Sequence, residues 1–159
     1  MTLAHGGGVI RGRRLGVDVG TVRVGVAISD PDCVLATPLV TLSRELPPHG
    51  DRTPTDIAEL VRLVEVHEIV EVVVGLPVTL AGTEGLSANH VREYVQLLTP
   101  AVAPVPVWLT DERMSTAAAT RRLSERGVRR GRRRAVIDQA AAVEILQGWL
   151  DAARRRRDA

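Results

Sequence analysis

Leu15-Gly16-Val17-Asp18-Val19-Gly20-Thr21-Val22-Arg23-Val24-Gly25-Val26-Ala27 is the stretch on which the fold turns. Two apolar, β-branched runs flank Gly20-Thr21, which predicts strands over about 13–19 and about 22–29 joined by a tight turn. Strand side chains alternate between faces. Leu15, Val17 and Val19 therefore point one way, and Gly16, Asp18 and Gly20 the other. The Asp18 carboxylate lies on a face lined by glycine, where a ligand can approach the backbone. An uncompensated buried carboxylate costs about 2–5 kcal/mol, so a cation or hydrogen-bond donors are expected to meet it.

Working outward, Asp30-Pro31-Asp32 reads as a turn and Val34 to Leu42 as a third strand. Pro38 cannot donate to a ladder, so this strand belongs at a sheet edge. The loop 43–52 is polar and proline-rich. Thr53-Pro54 then reads as N-cap and first helical position of a helix over 54–67, with Ile57, Leu60, Val61 and Val64 on one face. Ile69 to Gly75 is the nearly continuous apolar run of a buried parallel strand. A helix is predicted over about 84–98, with Pro100, Pro104 and Pro106 breaking the chain before a short strand, 105–110, that ends at Asp111-Glu112. Ser115 can cap a helix over about 116–126 closed by Gly127. Arg129–Arg134 reads as a basic loop and Ala135 to Ala153 as the last helix. The glycine-rich residues 1–12 and the basic tail 154–159 are expected to be disordered around a single domain at 13–153. The order βββ-α-β-α-β-α-α implies an α/β fold: one mixed sheet covered on both faces.

Charge is unevenly placed along the 159 residues. All 21 basic residues are Arg. Residues 1–112 carry 8 Arg against 14 acidic residues, a net −6, while residues 113–159 carry 13 Arg against 5, a net +8; together they make the chain's +2. A basic surface beside an acidic body suits a polyanionic partner, and Arg suits bidentate contact with phosphate. Aromatic residues are 2% of the chain, which argues against base-stacking platforms. No apolar run approaches a membrane span, and Met1 to Gly8 lacks the form of a signal peptide. The single Cys33 excludes an internal disulfide framework and fits the reducing cytoplasm.

Carboxylates occupy three places where they are costly. Asp18 is mid-strand, and Asp111-Glu112 ends a parallel strand, where open α/β sheets bind ligands. Asp138 begins the last helix and shares a face with Ala141, Ala142, Ile145 and Trp149, the side expected to meet the sheet, while Glu144, Gln147 and Asp151 form the polar side. Simpler roles exist for each: Asp18 as a turn cap, Asp111 and Glu112 as partners of a following helix dipole, Asp138 as a helix-start residue. Converging carboxylates repel unless cations sit among them, and hard oxygen ligands select Mg²⁺ or Mn²⁺. Two such ions about 4 Å apart can drive phosphodiester cleavage. His5, His49, His67 and His90 lack metal-ligand spacing. No serine lies in a nucleophile elbow, and a P-loop is excluded by the absence of Lys.

Five blocks occur in a recognisable order: Gly16 to Ala27 as quoted, Gly75-Leu76-Pro77, Gly82-Thr83-Glu84-Gly85, Asp111-Glu112-Arg113-Met114-Ser115-Thr116, and Ile137-Asp138-Gln139-Ala140-Ala141-Ala142. Together they resemble the YqgF (RuvX) family of RNase H-like nucleases over about residues 13–151. The resemblance implies an RNase H-like, three-layer fold with a five-stranded mixed sheet in the order 3-2-1-4-5. It implies metal-dependent cleavage of structured nucleic acid, with Asp18, Glu112 and Asp138 as catalytic metal ligands around Mg²⁺ or Mn²⁺. Asp111 is the alternate to Glu112. Arg113 would contact phosphate or fix the carboxylates, and Arg23, Arg129, Arg130, Arg132, Arg133 and Arg134 would hold nucleic acid. Val22 stands where the family commonly has Lys, leaving Arg23 as the contact there.

Family members process the 5′ end of pre-16S rRNA or, alternatively, resolve Holliday junctions, so the expected partner is pre-rRNA or branched DNA. Resolution requires a homodimer, because two cuts need two symmetric sites. A nucleotide-binding ATPase or kinase half is a weaker reading, since those proteins close two such domains over the nucleotide. A non-catalytic nucleic-acid-binding module is also weaker, given three intact carboxylates.

Overall fold

Strand β1 (Arg14–Val19) pairs antiparallel with β2 (Arg23–Ser29), register Leu15↔Ile28 through Val19↔Val24. The turn between them spans Gly20 to Val22 and is closed by the Gly20 amide donating to the Arg23 carbonyl at 2.8 Å. The computed structural model describes residues 10–79, 81–117 and 131–159, with side chains of the last segment from 139 onward. Strand β3 (Ala36–Ser43) continues the antiparallel meander, and the sheet order is β3-β2-β1-β4-β5. The edge position expected from Pro38 is the one found. The ladder slips there too: Val26 faces Val40 but Ala27 faces Pro38, so Leu39 is the extra residue of a bulge.

The parallel half follows through helical crossovers. Helix α1 (Thr55–Val66) leads to β4 (Glu71–Leu76), which pairs parallel with β1, and α2 (Leu86–Val102) leads to β5 (Val107–Asp111), which pairs parallel with β4. Leu15, Val17, Val72 and Val74 meet Ile57, Leu60, Val91 and Leu98 on one face of the sheet. On the other, Ala27 and Val73 meet Ala141, Ala142, Ile145, Leu146 and Leu150 of the long helix α3 (Gly131–Asp158). The result is the expected three-layer, RNase H-like α/β fold. Gly16 permits the second layer: a Cβ there would lie 2.6 Å from Leu146 Cβ and 3.0 Å from the Ala142 carbonyl oxygen. Any side chain at residue 16 would push α3 off the sheet.

Several local expectations are corrected. Thr53 is not the cap of α1, whose first turn follows Pro54 without a cap from its own segment. The Glu45 carboxylate, from the preceding loop, accepts the Thr55 amide at 3.1 Å instead. Helix α2 passes through Pro100 to Val102. Leu98 and Val102 are both buried, and their packing holds the last turn together despite the missing proline donor. Helix α3 already includes Gly131, the first described residue of its segment, so Arg132, Arg133 and Arg134 lie in a helix rather than in a loop. It also runs on through Arg154–Arg157, where fraying was expected. Arg is a good helix former and suits the negative end of the helix dipole, and Arg154 pairs with Asp151 one turn back at 2.6 Å. Gln147 does not belong to a solvent-facing side: it donates to the Val34 carbonyl at 3.0 Å and accepts the Ala36 amide at 2.8 Å. The helix expected after Ser115 lies largely outside the described residues, though Ser115 Oγ accepts the Ala117 amide at 3.3 Å as a cap would.

Candidate active site

Asp18 is the penultimate residue of β1 and is 2% exposed. Its immediate neighbours on the face it shares are Gly16, under α3, and Gly20, in the hairpin turn. One register step beyond Val17↔Val74 brings Asp18 beside Gly75 of β4. A Cβ on Gly75 would fall 2.5 Å from Ile145 Cδ1 and 3.4 Å from Glu112 Cγ. Glu112 therefore folds back over Gly75, on the same face as α3, toward the carboxyl end of β1. It is 4% exposed. Two buried acids, drawn from β1 and from the end of β5, lie on one face around a glycine that leaves room for Glu112.

The two adjacent acids at the end of β5 divide into different environments. Asp111 turns outward and caps the short 3₁₀ helix Glu112–Met114, accepting the Arg113 amide at 2.9 Å. The Arg113 guanidinium forks onto the same carboxylate, with Nη2 to Oδ2 at 2.6 Å. This ion pair holds the Asp111 carboxyl below the usual range. Glu112 goes the other way: burial, reinforced by the Asp111 charge, pushes its carboxyl up to about 7. A cation brought to such a carboxylate would favour its ionised form.

Arg113 is a carboxylate-fixing residue in this geometry. Its Nη1 also lies 3.6 Å from where a Cβ on Gly82 would stand. Gly82 has φ +82°, within a turn in which its amide donates to the Thr79 carbonyl at 2.8 Å and the Thr79 and Thr83 hydroxyls bond at 2.7 Å. This turn carries the Gly82-Thr83-Glu84-Gly85 block. Glu84 is committed to Arg92, with bonds of 2.6 and 2.9 Å. Arg23 opens β2, half-buried, at the same end of the sheet as Asp18.

Asp138 lies on α3 as its eighth residue, two turns in rather than at the helix start. That removes the helix-start explanation for an acid there. The next residue, Gln139, donates to Thr41 Oγ1 on β3 at 3.0 Å, and Thr41 pairs with Gly25, which pairs with Asp18. The backbone of α3 at 138–139 is thus at the level of Asp18 along the sheet. The Asp138 side chain, and those of Arg132, Arg133 and Arg134, lie outside the described residues, as do Arg129 and Arg130 altogether. Sequence reasoning missed Gly148, where a Cβ would meet the Met114 carbonyl oxygen at 3.1 Å, so that α3 seats the 3₁₀ turn bearing Glu112. A glycine amid good helix formers was the available signal.

A family model described as RuvX, Holliday junction resolvase, matches residues 12–152. A protein of Mycobacterium ulcerans named "Putative pre-16S rRNA nuclease" is 56% identical over 144 residues, covering 91% of this chain and 81% of that protein. Proteins of the same name from Mycolicibacterium smegmatis and Corynebacterium jeikeium are 52% and 50% identical, covering 89% and 91% of this chain and 81% and 90% of theirs. Among solved structures, Thermus thermophilus RuvC in complex with a Holliday junction substrate aligns with a TM-score of 0.55 at 17% identity, over 90% of this chain and 96% of that one. That likeness is one of fold. The family match and the identities decide kinship, and this chain belongs to the RuvX family.

Proposed function

We propose that this chain is a metal-dependent endonuclease of structured nucleic acid, acting at the 5′ end of pre-16S rRNA. The observation that carries this reading is the placement of buried Asp18 and Glu112 on one face around Gly75, at the carboxyl ends of the strands. Hydrolysis of phosphodiester bonds is the chemistry of the family, and the relatives' names supply the rRNA substrate.

The donor set fits a hard divalent cation. Both groups are carboxylates, both are buried, and a cation would offset the burial that raises the Glu112 carboxyl. Asp18 and Glu112 would hold Mg²⁺ or Mn²⁺, with Asp138 of α3 completing the shell. Metal bound there supplies an activated water and stabilises charge on the leaving oxygen. The protein's own residues do the rest. Arg113 keeps Asp111 turned outward so that Glu112 faces Gly75. Arg23, with Arg129, Arg130, Arg132, Arg133 and Arg134, brings phosphate to the carboxylates, and affinity falls as salt rises.

The purified protein is to be incubated with Mg²⁺ or Mn²⁺ and a pre-16S rRNA 5′ leader, beside a four-way DNA junction. Cleavage of the leader by the parent, lost in Asp18→Asn while the circular dichroism spectrum and RNA binding persist, is the expected result. Equal cleavage by the variant would sink the assignment. Junction resolution is the second reading, favoured by the description of the family model. Symmetric paired nicks in the junction, made by a homodimer, would move the conclusion there.

A further inference from the structure

The far end of α3 carries a second concentration of arginine that the cleavage site does not use. Arg154 Nη2 lies 3.5 Å from the Val34 carbonyl oxygen, and the Arg157 charge is felt at Cys33. Cys33 Sγ in turn lies 3.8 Å from the Gly12 carbonyl oxygen, between Arg11 and Arg13. Both segments therefore meet around the turn 30–35, at the amino end of β1.

The acids around the turn 30–35 are already committed, and Asp158 is the one exposed acid in the last turn of α3. Asp32 pairs with Arg11 at 3.0 Å, Asp151 with Arg154 at 2.6 Å, and Glu71 with the buried Arg14 at 3.6 Å. Asp30 accepts the amides of Asp32, Val34 and Leu35. Among the described residues no ion pair engages Arg13, Arg155, Arg156 or Arg157, and all four are exposed. A favourable helix dipole accounts for one or two basic residues in a last turn. It does not account for three further guanidinium groups without ion pairs in one turn, where they repel one another.

We infer that this pole is a second phosphate-binding surface, which grips the backbone of the same nucleic acid away from the cleavage site. The inference rests on the nuclease reading above. Asp138 and Arg156 are separated along α3 by about 27 Å at 1.5 Å per residue. That distance corresponds to about 10 base pairs of an A-form RNA helix, at about 2.8 Å each. Substrates shorter than this reach only one of the two surfaces. Guanidinium groups grip phosphate without reading sequence, so the surface sets substrate length and not cleavage position.

The test compares the full chain with its Arg155→Gln/Arg156→Gln/Arg157→Gln variant, Gln keeping the helix. Fluorescence anisotropy in metal-free buffer would follow a 24-base-pair RNA duplex and a 6-base-pair hairpin. The expected result is about tenfold weaker binding of the long duplex and a salt slope lower by about 2–3, with the hairpin unaffected. Equal affinity of parent and variant for the long duplex overturns the second surface while leaving the nuclease reading intact. A parent that binds neither RNA overturns both. Loss of binding only to vesicles containing phosphatidylserine overturns it in favour of an anionic membrane surface.

Discussion

Glu112 lies directly over Gly75: its Cγ is 3.4 Å from the position a residue-75 Cβ would occupy. The same absent Cβ would press on Ile145 Cγ1 and Cδ1 at 3.0 and 2.5 Å. Strand β4, helix α3 and the acid at the end of β5 therefore share one methyl-sized space. Gly75→Ala is expected to destabilise the protein by about 1–3 kcal/mol through overpacking and to cut cleavage by displacing Glu112. Adding Ile145→Val removes the nearer clash and should restore most of the stability. Urea denaturation of the two single variants and the double variant checks this, and strict additivity would contradict the shared space.

The raised Glu112 carboxyl sets a pH dependence. Its proton is held in the folded protein to about pH 7, whereas the unfolded chain releases it near the ordinary glutamate value. The unfolded state binds fewer protons between those values, so metal-free stability falls as pH rises from about 4.5 to about 7 and is flat above. The contribution is on the order of 3 kcal/mol. Glu112→Gln should abolish this component of the slope, measured by chemical denaturation across pH in the presence of a chelator. An unchanged slope would place the titration elsewhere.

Asp111 and Glu112 are adjacent in sequence but not equivalent. Asp111→Asn retains a capping oxygen and loses an exposed ion pair worth less than about 1 kcal/mol. Its cleavage rate is expected to fall by no more than about tenfold, against about a thousandfold for Glu112→Gln. Single-turnover rates with saturating Mg²⁺ decide between them. The reverse ranking would make Asp111 the ligand.

Arg14 is 2% exposed at the start of β1, donating to the Gly12 carbonyl at 2.7 Å and to Cys33 Sγ at 2.8 Å, with Glu71 at 3.6 Å. Arg14→Ala leaves Glu71 without its cation and should cost about 3–5 kcal/mol. Arg14→Met with Glu71→Gln should recover most of that loss, read from the urea midpoint. Cys33 is 8% exposed, and burial pushes its thiol up. Intermolecular cross-linking through it is accordingly not expected under mild oxidation, as nonreducing electrophoresis would show.

Much of the architecture was legible along the chain because its signals are local. Pro38 announced an edge strand and the unbroken run before Gly75 a buried parallel one, whereas the glycine face of β1, expected to admit a ligand, is closed at Gly16 by Leu146 and Ala142 of α3. Element ends were less legible where contacts from distant segments outweigh local preference. Leu98 and Val102 carry α2 through a proline, and Glu45 caps a helix that starts ten residues later.

The alternation of β1 and the position of Asp111-Glu112 at a strand end were enough to nominate the acids. They could not say which of two neighbouring acids turns inward. Tertiary structure made that choice: Arg113 and the 3₁₀ turn draw Asp111 outward, and Gly75 opens the space that Glu112 enters. The reason is that a carboxylate's direction depends on partners brought together by folding, whereas strand periodicity is written residue by residue.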